Sequence, residues 1–286
     1  MPSQEFQVSF NITEIEMITS SSNLHIKEIR RLRDRKYRNE TGLGFVEGVR
    51  LVFEGLSQGS NVEEIIFAPE LNKSEVITEI IKLAKEQNIT ITEVSKYVFE
   101  NLSTKDGPKG IAAIVKQNFG KLELLNNPGR FWVALFEAAD PGNLGTILRS
   151  LDGAGGEGVI LIGNCTDPYD PTAIRASMGA IFSKIVIKCS ESEFINSISS
   201  SRKCLVGASD NGKVDFHDID YKNDTILLMG SERQGIPLSL QKECNEIVYI
   251  PMVGSCDSLN LSVATSIILY EISRSVRKGN INDHIT

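Results

Sequence analysis

Long apolar runs are missing from this chain. No uninterrupted hydrophobic stretch approaches the ~18 residues of a membrane-spanning helix. The amino terminus, MPSQEFQVSF, lacks the basic-then-apolar layout of an export signal. Both absences predict a cytoplasmic protein with no membrane partner. Cysteine is sparse as well. Cys165, Cys189, Cys204, Cys244 and Cys256 are odd in number and form no CxxC pair, so reduced thiols are expected in place of a disulfide framework or a zinc site. The three histidines, His25, His217 and His284, lie far apart and in no metal-binding spacing, so no metal is expected. Neither GxSxG nor HExxH occurs, which sets aside the commonest serine-hydrolase and zinc-protease signatures.

A literal GxGxxG does occur, at Gly153, Gly155 and Gly158. In a dinucleotide-binding fold that motif follows a strand and opens a helix. Here it closes a helical segment and precedes the apolar run GVILIG, so these glycines are expected to end one element and turn into the next.

With 286 residues, 41% hydrophobic and 23% charged, the chain can hold two modest domains, each with its own core. A net charge of −7 opposes indiscriminate coating of nucleic acid. Charge is nevertheless concentrated locally. Residues 26–38 read IKEIRRLRDRKYR, seven basic against two acidic, a stripe that could track a phosphate backbone or form a solvated helix face.

Val49, Val52, Phe53 and Leu56 follow the spacing of an amphipathic helix, as do Ile77, Ile80, Ile81 and Ala84. Strand-like runs lie at 63–68, 89–94 and 110–115, so the first half alternates in α/β fashion. The turn residues NNPGR at 126–130 suggest a linker, dividing the chain into 1–126 and 130–286. Beyond it, FWVALFEA, GVILIG, KIVIKC, KCLVGAS, TILLMG and EIVYIP are near-continuous apolar strands, as in a parallel sheet covered on both faces. Helices are expected from Asn143, over 172–182, over ESEFINSISS, after Pro237 and at the carboxyl end.

Three segments carry the chemistry. DPGNLGTILRS at 140–150 opens a helix and presents Asn143 and Arg149. LLMGSERQGIP at 227–237 ends a strand at Gly230 and turns tightly through Glu232. IPMVGSCDSLNLSVATSIILYE at 250–271 joins a strand to a helix, with Ser258, Asn260 and Ser262 on alternate residues as the helix begins. A helix N-terminus offers unpaired N–H groups and positive dipole character, which suits a ligand bearing carboxylate or hydroxyl groups; an ordinary capped turn is the alternative.

In order and spacing the three segments resemble the signature motifs of the SpoU (TrmH) family of RNA 2′-O-ribose methyltransferases, over roughly 130–277. The resemblance implies a SPOUT-type α/β domain with a parallel sheet and a trefoil knot, S-adenosylmethionine as cofactor, and a homodimer assembled through the C-terminal domain. Ribosomal RNA is the first expected substrate and transfer RNA the second. A non-catalytic RNA-binding or ribosome-assembly factor on the same fold is the rival.

By the same resemblance Asn143 and Arg149 sit at the target nucleotide, and Glu232 organises the substrate side. Backbone groups near Gly230, Ile250 and Leu259 line the cofactor pocket. Ser258 and Asn260 position the hydroxyl nucleophile or the methionine moiety. Guanidinium does not readily lose a proton in proteins, so gripping phosphate and stabilising a forming alkoxide suit Arg149 better than acting as a base. Family members often carry glycine after the glutamate, where this chain has Arg233. IRASMGAIF at 174–182 matches too, and Arg175 could contact RNA. The first half resembles the ribosomal-protein-like α/β domain that binds RNA ahead of this catalytic domain, with Arg30, Arg31, Arg33 and Arg35 as candidate contacts.

Overall fold

The computed structural model describes residues 17–282 except 60, 105, 106 and 128, with side chains through 278. His284 and the Pro128 of the expected linker therefore lie outside the described residues.

The first half runs α1 (Leu24–Arg31), α2 (Arg35–Thr41), β1 (Leu43–Glu47), α3 (Val49–Ser57), β2 (Val62–Phe67), α4 (Glu75–Glu86), β3 (Thr90–Glu93), α5 (Lys96–Leu102) and β4 (Ile111–Lys116). Its sheet has the order β1-β4-β2-β3, with β4 antiparallel to both neighbours and β2 parallel to β3. Successive strand side chains point to opposite faces. Phe45, Ile66 and Ala112 pack with Ile26 and Ile29 of α1 and Phe99 of α5, while Val46, Ile65 and Ala113 pack with Val52 and Leu56 of α3 and Ile80 of α4.

The second half runs β5 (Trp132–Phe136), α6 (Pro141–Ala154), β6 (Gly158–Ile162), α7 (Pro171–Ser177), α8 (Ala180–Ser183), β7 (Ile185–Cys189), α9 (Glu191–Ser200), β8 (Cys204–Ala208), β9 (Val214–Asp215), β10 (Thr225–Met229), α10 (Leu238–Gln241), β11 (Glu246–Tyr249) and α11 (Leu261–Asn282). The sheet order is β7-β6-β5-β10-β8-β11-β9, and every pairing is parallel. Helices cover both faces, as the apolar strands require. Leu144, Ile147 and Leu148 of α6 and Ile268 and Ile272 of α11 pack one side; Phe194 and Ile198 of α9 and Leu240 of α10 pack the other.

Three details depart from the sequence reading, and one matches it. The basic stretch expected as one stripe is two helices, because Asp34 leaves the helical conformation and caps α2 by accepting from the Lys36 amide at 2.7 Å. The helix expected over 172–182 breaks where Met178 and Gly179 both take positive φ, +52° and +102°. Strands β1 and β9 have no counterpart among the runs read from the sequence. The GxGxxG reading holds: Gly155 ends α6 in the left-handed conformation and Gly158 opens β6.

The two halves share a buried surface. Tyr169 and Ile174, from the second half, belong to the core around α3 and α4. The Tyr169 hydroxyl accepts from the Asn118 amide at 2.9 Å. Arg38 is 1% exposed, and its Nε donates to the equally buried Asp167 at 2.8 Å, while Nη1 donates to the carbonyls of Leu32 and Arg33 at 2.9 Å each. A buried ion pair of this kind, with its remaining donors satisfied, fixes a single geometry and is costly to break from one side.

Candidate active site at the carboxyl edge of the parallel sheet

Strand order puts the chemistry in one place. From β5 the chain moves outward to β6 and β7; the later strands lie on the other flank, beginning with β10 beside β5. In open α/β sheets ligands bind outside the carboxyl ends of strands where the winding direction changes, which here is the border of β5 and β10.

Each strand delivers a motif to that border. After β5 the chain passes through Glu137, one of three non-glycine residues described with positive φ, at +47°. Asp140 then caps α6, accepting from the Asn143 amide at 2.7 Å, with Pro141 in the first turn where its missing N–H costs nothing. After β10, Gly230 leads into a hairpin in which Ser231 and Gly235 exchange backbone hydrogen bonds of 3.2 and 2.9 Å. A Cβ at Gly230 would stand 2.0 Å from the Gly235 carbonyl carbon, so only glycine fits. The two motifs meet: Asn143 Nδ2 donates to Glu232 Oε1 at 3.1 Å.

Arg149 lies two steps of three residues along α6 from Asn143, with Thr146 between; Asn143 is half-buried and the other two are exposed. Among the described residues no hydrogen bond or ion pair engages the Arg149 guanidinium. Arg233 and Gln234 occupy the exposed apex of the hairpin, away from the Asn143–Glu232 link.

The third motif follows β11. Ile250 and Leu259 are half-buried, while residues 251–258 are exposed, so Ser258 faces solvent. The Asn260 side-chain oxygen accepts from the Ser262 amide at 2.9 Å and from the Ser262 hydroxyl at 2.7 Å, capping α11. The capped-turn alternative is thus realised at Asn260. Helices α11 and α6 run in the same direction: Ser266 bonds Ser150 at 2.7 Å, and the Tyr270 hydroxyl sits over Gly153. Their N-termini therefore share the edge at which Gly230 and Glu232 stand.

The expected RNA contacts have separate fates. Arg33 donates to the carbonyls of Asn101, Leu102 and Ser103 at the end of α5, each at 2.9 Å. Arg31 stacks 3.9 Å over the Tyr37 ring. Arg30 reaches the Ser21 carbonyl at 3.4 Å, and Arg35 the Cys165 carbonyl at 2.9 Å. Arg175 is exposed on α7, beside α6. Glu137 and Thr146 were not singled out in the sequence; the signal for Glu137 was its place directly after an apolar strand.

The SpoU rRNA Methylase family model matches residues 130–270, and the MRM3-like substrate binding domain matches residues 23–113. A 23S rRNA (uridine(2479)-2′-O)-methyltransferase of Streptomyces viridochromogenes is 30% identical over 87% of this chain and 88% of its own length. The chain belongs to the SpoU family. A 23S rRNA (guanosine(2553)-2′-O)-methyltransferase of Bacillus subtilis is 26% identical over 90% of this chain and 99% of its own. Among solved structures, an AdoMet-bound rRNA methyltransferase from Sinorhizobium meliloti is 33% identical, with TM-score 0.83, covering 91% of this chain and 97% of that one. Members of the SpoU family are S-adenosylmethionine-dependent methyltransferases. The residues here are compatible with that cofactor: Gly230 keeps a strand end bare of side chain, and Ile250 and Leu259 are half-buried apolar residues flanking the exposed 251–258 loop. Among the described residues no helix is long and apolar enough to cross a membrane, and no cluster of three or more His, Cys, Asp or Glu side chains could hold a metal.

Proposed function

We propose that this protein transfers a methyl group from S-adenosylmethionine to a ribose 2′-hydroxyl of RNA, with ribosomal RNA as the substrate class. The hydrogen bond from Asn143 to Glu232 carries the reading, because it ties the α6 motif to the β10 hairpin at the switch point of the sheet. Backbone groups near Gly230, Ile250 and Leu259 would hold the cofactor, which when bound supplies an electrophilic sulfonium methyl. Asn143, Arg149 and Glu232 would hold the ribose 2′-hydroxyl that takes this methyl group, its proton being released to solvent. Near-attack geometry supplies much of the acceleration in such a transfer.

Arg149, which pairs with no carboxylate among the described residues, is the group to clamp the target phosphate and stabilise negative charge on the 2′-oxygen. Asn143 and Glu232 orient the nucleotide, and Ser258 reaches the ligand from the exposed 251–258 loop. Asn260 contributes by fixing the start of α11, and Arg175 by binding RNA beside α6. Arg30, Arg31 and Arg35 present positive charge from the first unit, while Arg33 holds α5 in place beneath them.

The division into an RNA-binding unit, 1–126, and a methyltransferase unit, 130–286, is supported by the two separate sheets. Insertion of β10 between β5 and β8, and of β11 between β8 and β9, supports threading of the carboxyl segment through a knot. Val263, Ile267 and Tyr270 form an exposed apolar stripe along α11, which supports a homodimer through this helix.

Titration calorimetry with S-adenosylmethionine, followed by single-turnover methylation of ribosomal RNA, tests the function. Tight binding with methyl transfer is expected; absence of cofactor binding overturns the reading.

A further inference from the structure

A cavity lies on the same edge of the sheet, two strands from β5. It measures 430 Å³ and is lined by Arg35, Gly163, Cys165, Thr166, Lys188 and Ser190, among others. Arg35 comes from α2 of the first unit and Lys188 from the end of β7, so the cavity exists only where the two units meet. At ~4.8 Å per strand, its floor stands roughly 10 Å from the strand that delivers Asn143. The Thr166 amide donates to the Ala138 carbonyl at 2.8 Å, linking the cavity rim directly to the loop that leads into α6.

The charges in this cavity do not cancel. Lys188 Nζ sits 4.0 Å over the Phe119 ring, and Arg35 meets only the Cys165 carbonyl. Among the described residues neither cation forms an ion pair. Of the nearby carboxylates, only Glu137, whose side chain lies beside Gly163, has no partner of its own among the described residues. Asp167 is bound by Arg38 at 2.8 Å, Asp170 lies 3.7 Å from the same guanidinium, and Glu193 accepts from the Ser190 amide and hydroxyl at 2.7 Å each. The thiols add no negative charge, since burial pushes Cys165 up to about 11 and Cys189 up to about 12. Partial burial lowers Lys188 below the usual lysine range, opposed by the nearby Asp167 carboxylate and reinforced by Arg35 and Arg38.

We infer that this cavity is a phosphodiester-binding subsite, in which Lys188 and Arg35 hold the RNA backbone on its way from the first unit to Asn143 and Arg149. The inference rests on the reading of the protein as an RNA methyltransferase and adds Lys188, which none of the signature motifs contains, to its RNA contacts. Two cations of different reach, with the Thr166 hydroxyl beside them, match one bridging phosphate.

The test uses the full-length protein with a 23S ribosomal RNA transcript. RNA affinity is measured from 50 to 200 mM KCl for wild type, Lys188→Gln and Lys188→Arg, with S-adenosylmethionine affinity and melting temperature followed in parallel. Lys188→Gln should lose close to one phosphate contact. Its log–log salt slope should be shallower by roughly 0.7–0.9, so that about threefold less affinity is lost across that range. Lys188→Arg should keep the wild-type slope, and cofactor affinity and melting temperature should not move. A wild-type slope in Lys188→Gln, in a protein that still methylates RNA, overturns this inference alone. Cofactor binding by a wild-type protein that neither binds nor methylates RNA overturns the functional reading along with it.

Discussion

The side-chain amide of Asn143 donates to Glu232 at 3.1 Å, joining two residues 89 positions apart in sequence. The bond spans the carboxyl ends of neighbouring strands β5 and β10 and is solvent-exposed, so its use is orientation more than stability. Asn143→Asp should set two carboxylates against each other and swing the hairpin away. Turnover should fall at least tenfold, while the melting temperature stays close to wild type, as for most exposed substitutions. Steady-state kinetics paired with a melting curve checks this; a stability loss that matches the activity loss would assign the bond to the scaffold.

Arg149 should behave as a charge-stabilising donor. Arg149→Ala should lower single-turnover methylation on the order of 10²-fold or more at saturating RNA, with cofactor affinity unchanged. Arg149→Lys should restore little, because one ammonium does not reproduce a planar two-point grip. Wild-type rates in the alanine variant would remove Arg149 from the site.

Two glycines in the cofactor-side loops make opposite predictions. A Cβ at Gly230 would meet the backbone of Gly235 at 2.0 Å, whereas a Cβ at Gly254 meets nothing within 4 Å. Gly230→Ala should open the hairpin and abolish S-adenosylmethionine binding; Gly254→Ala should leave it intact. Calorimetry on the two variants reads the contrast directly, and equal affinities would dissociate the hairpin from the cofactor.

The buried pair of Arg38 and Asp167 should dominate the coupling between the two units. Arg38→Met leaves the Asp167 carboxylate buried without its partner, at a cost of about 3–5 kcal/mol. Replacing both, Arg38→Met with Asp167→Leu, should recover part of that loss. Denaturant unfolding of the single and double variants measures it. A single variant as stable as wild type would show that the carboxylate finds water or another donor.

Much of this architecture was legible in the sequence because its signals are local. Apolar runs such as GVILIG mark buried parallel strands, and Asp140-Pro141 marks a helix start. The left-handed Gly155 was readable as a stop. What was not legible depends on partners distant in sequence. Arg38 looked like one more cation in a basic stripe, and only the fold reveals that it is buried against Asp167. Arg33 likewise reads as a free cation, and only the fold shows it bonded to the end of α5. Lys188 sits in an apolar strand with no motif around it; its meaning comes from Arg35 and from Asp167, Asp170 and Glu193 being engaged elsewhere. The break at Met178 and Gly179 escaped because the apolar pattern continues across it.

The most direct measurement of the central claim is the site of the transferred methyl group. Ribosomal RNA from cells lacking this gene would be incubated with the protein and methyl-labelled S-adenosylmethionine, then hydrolysed with alkali. Transfer to a ribose 2′-oxygen predicts label in an alkali-resistant dinucleotide, lost in Arg149→Ala. Label recovered on a base, or no label in RNA from a protein that binds the cofactor, would contradict the account.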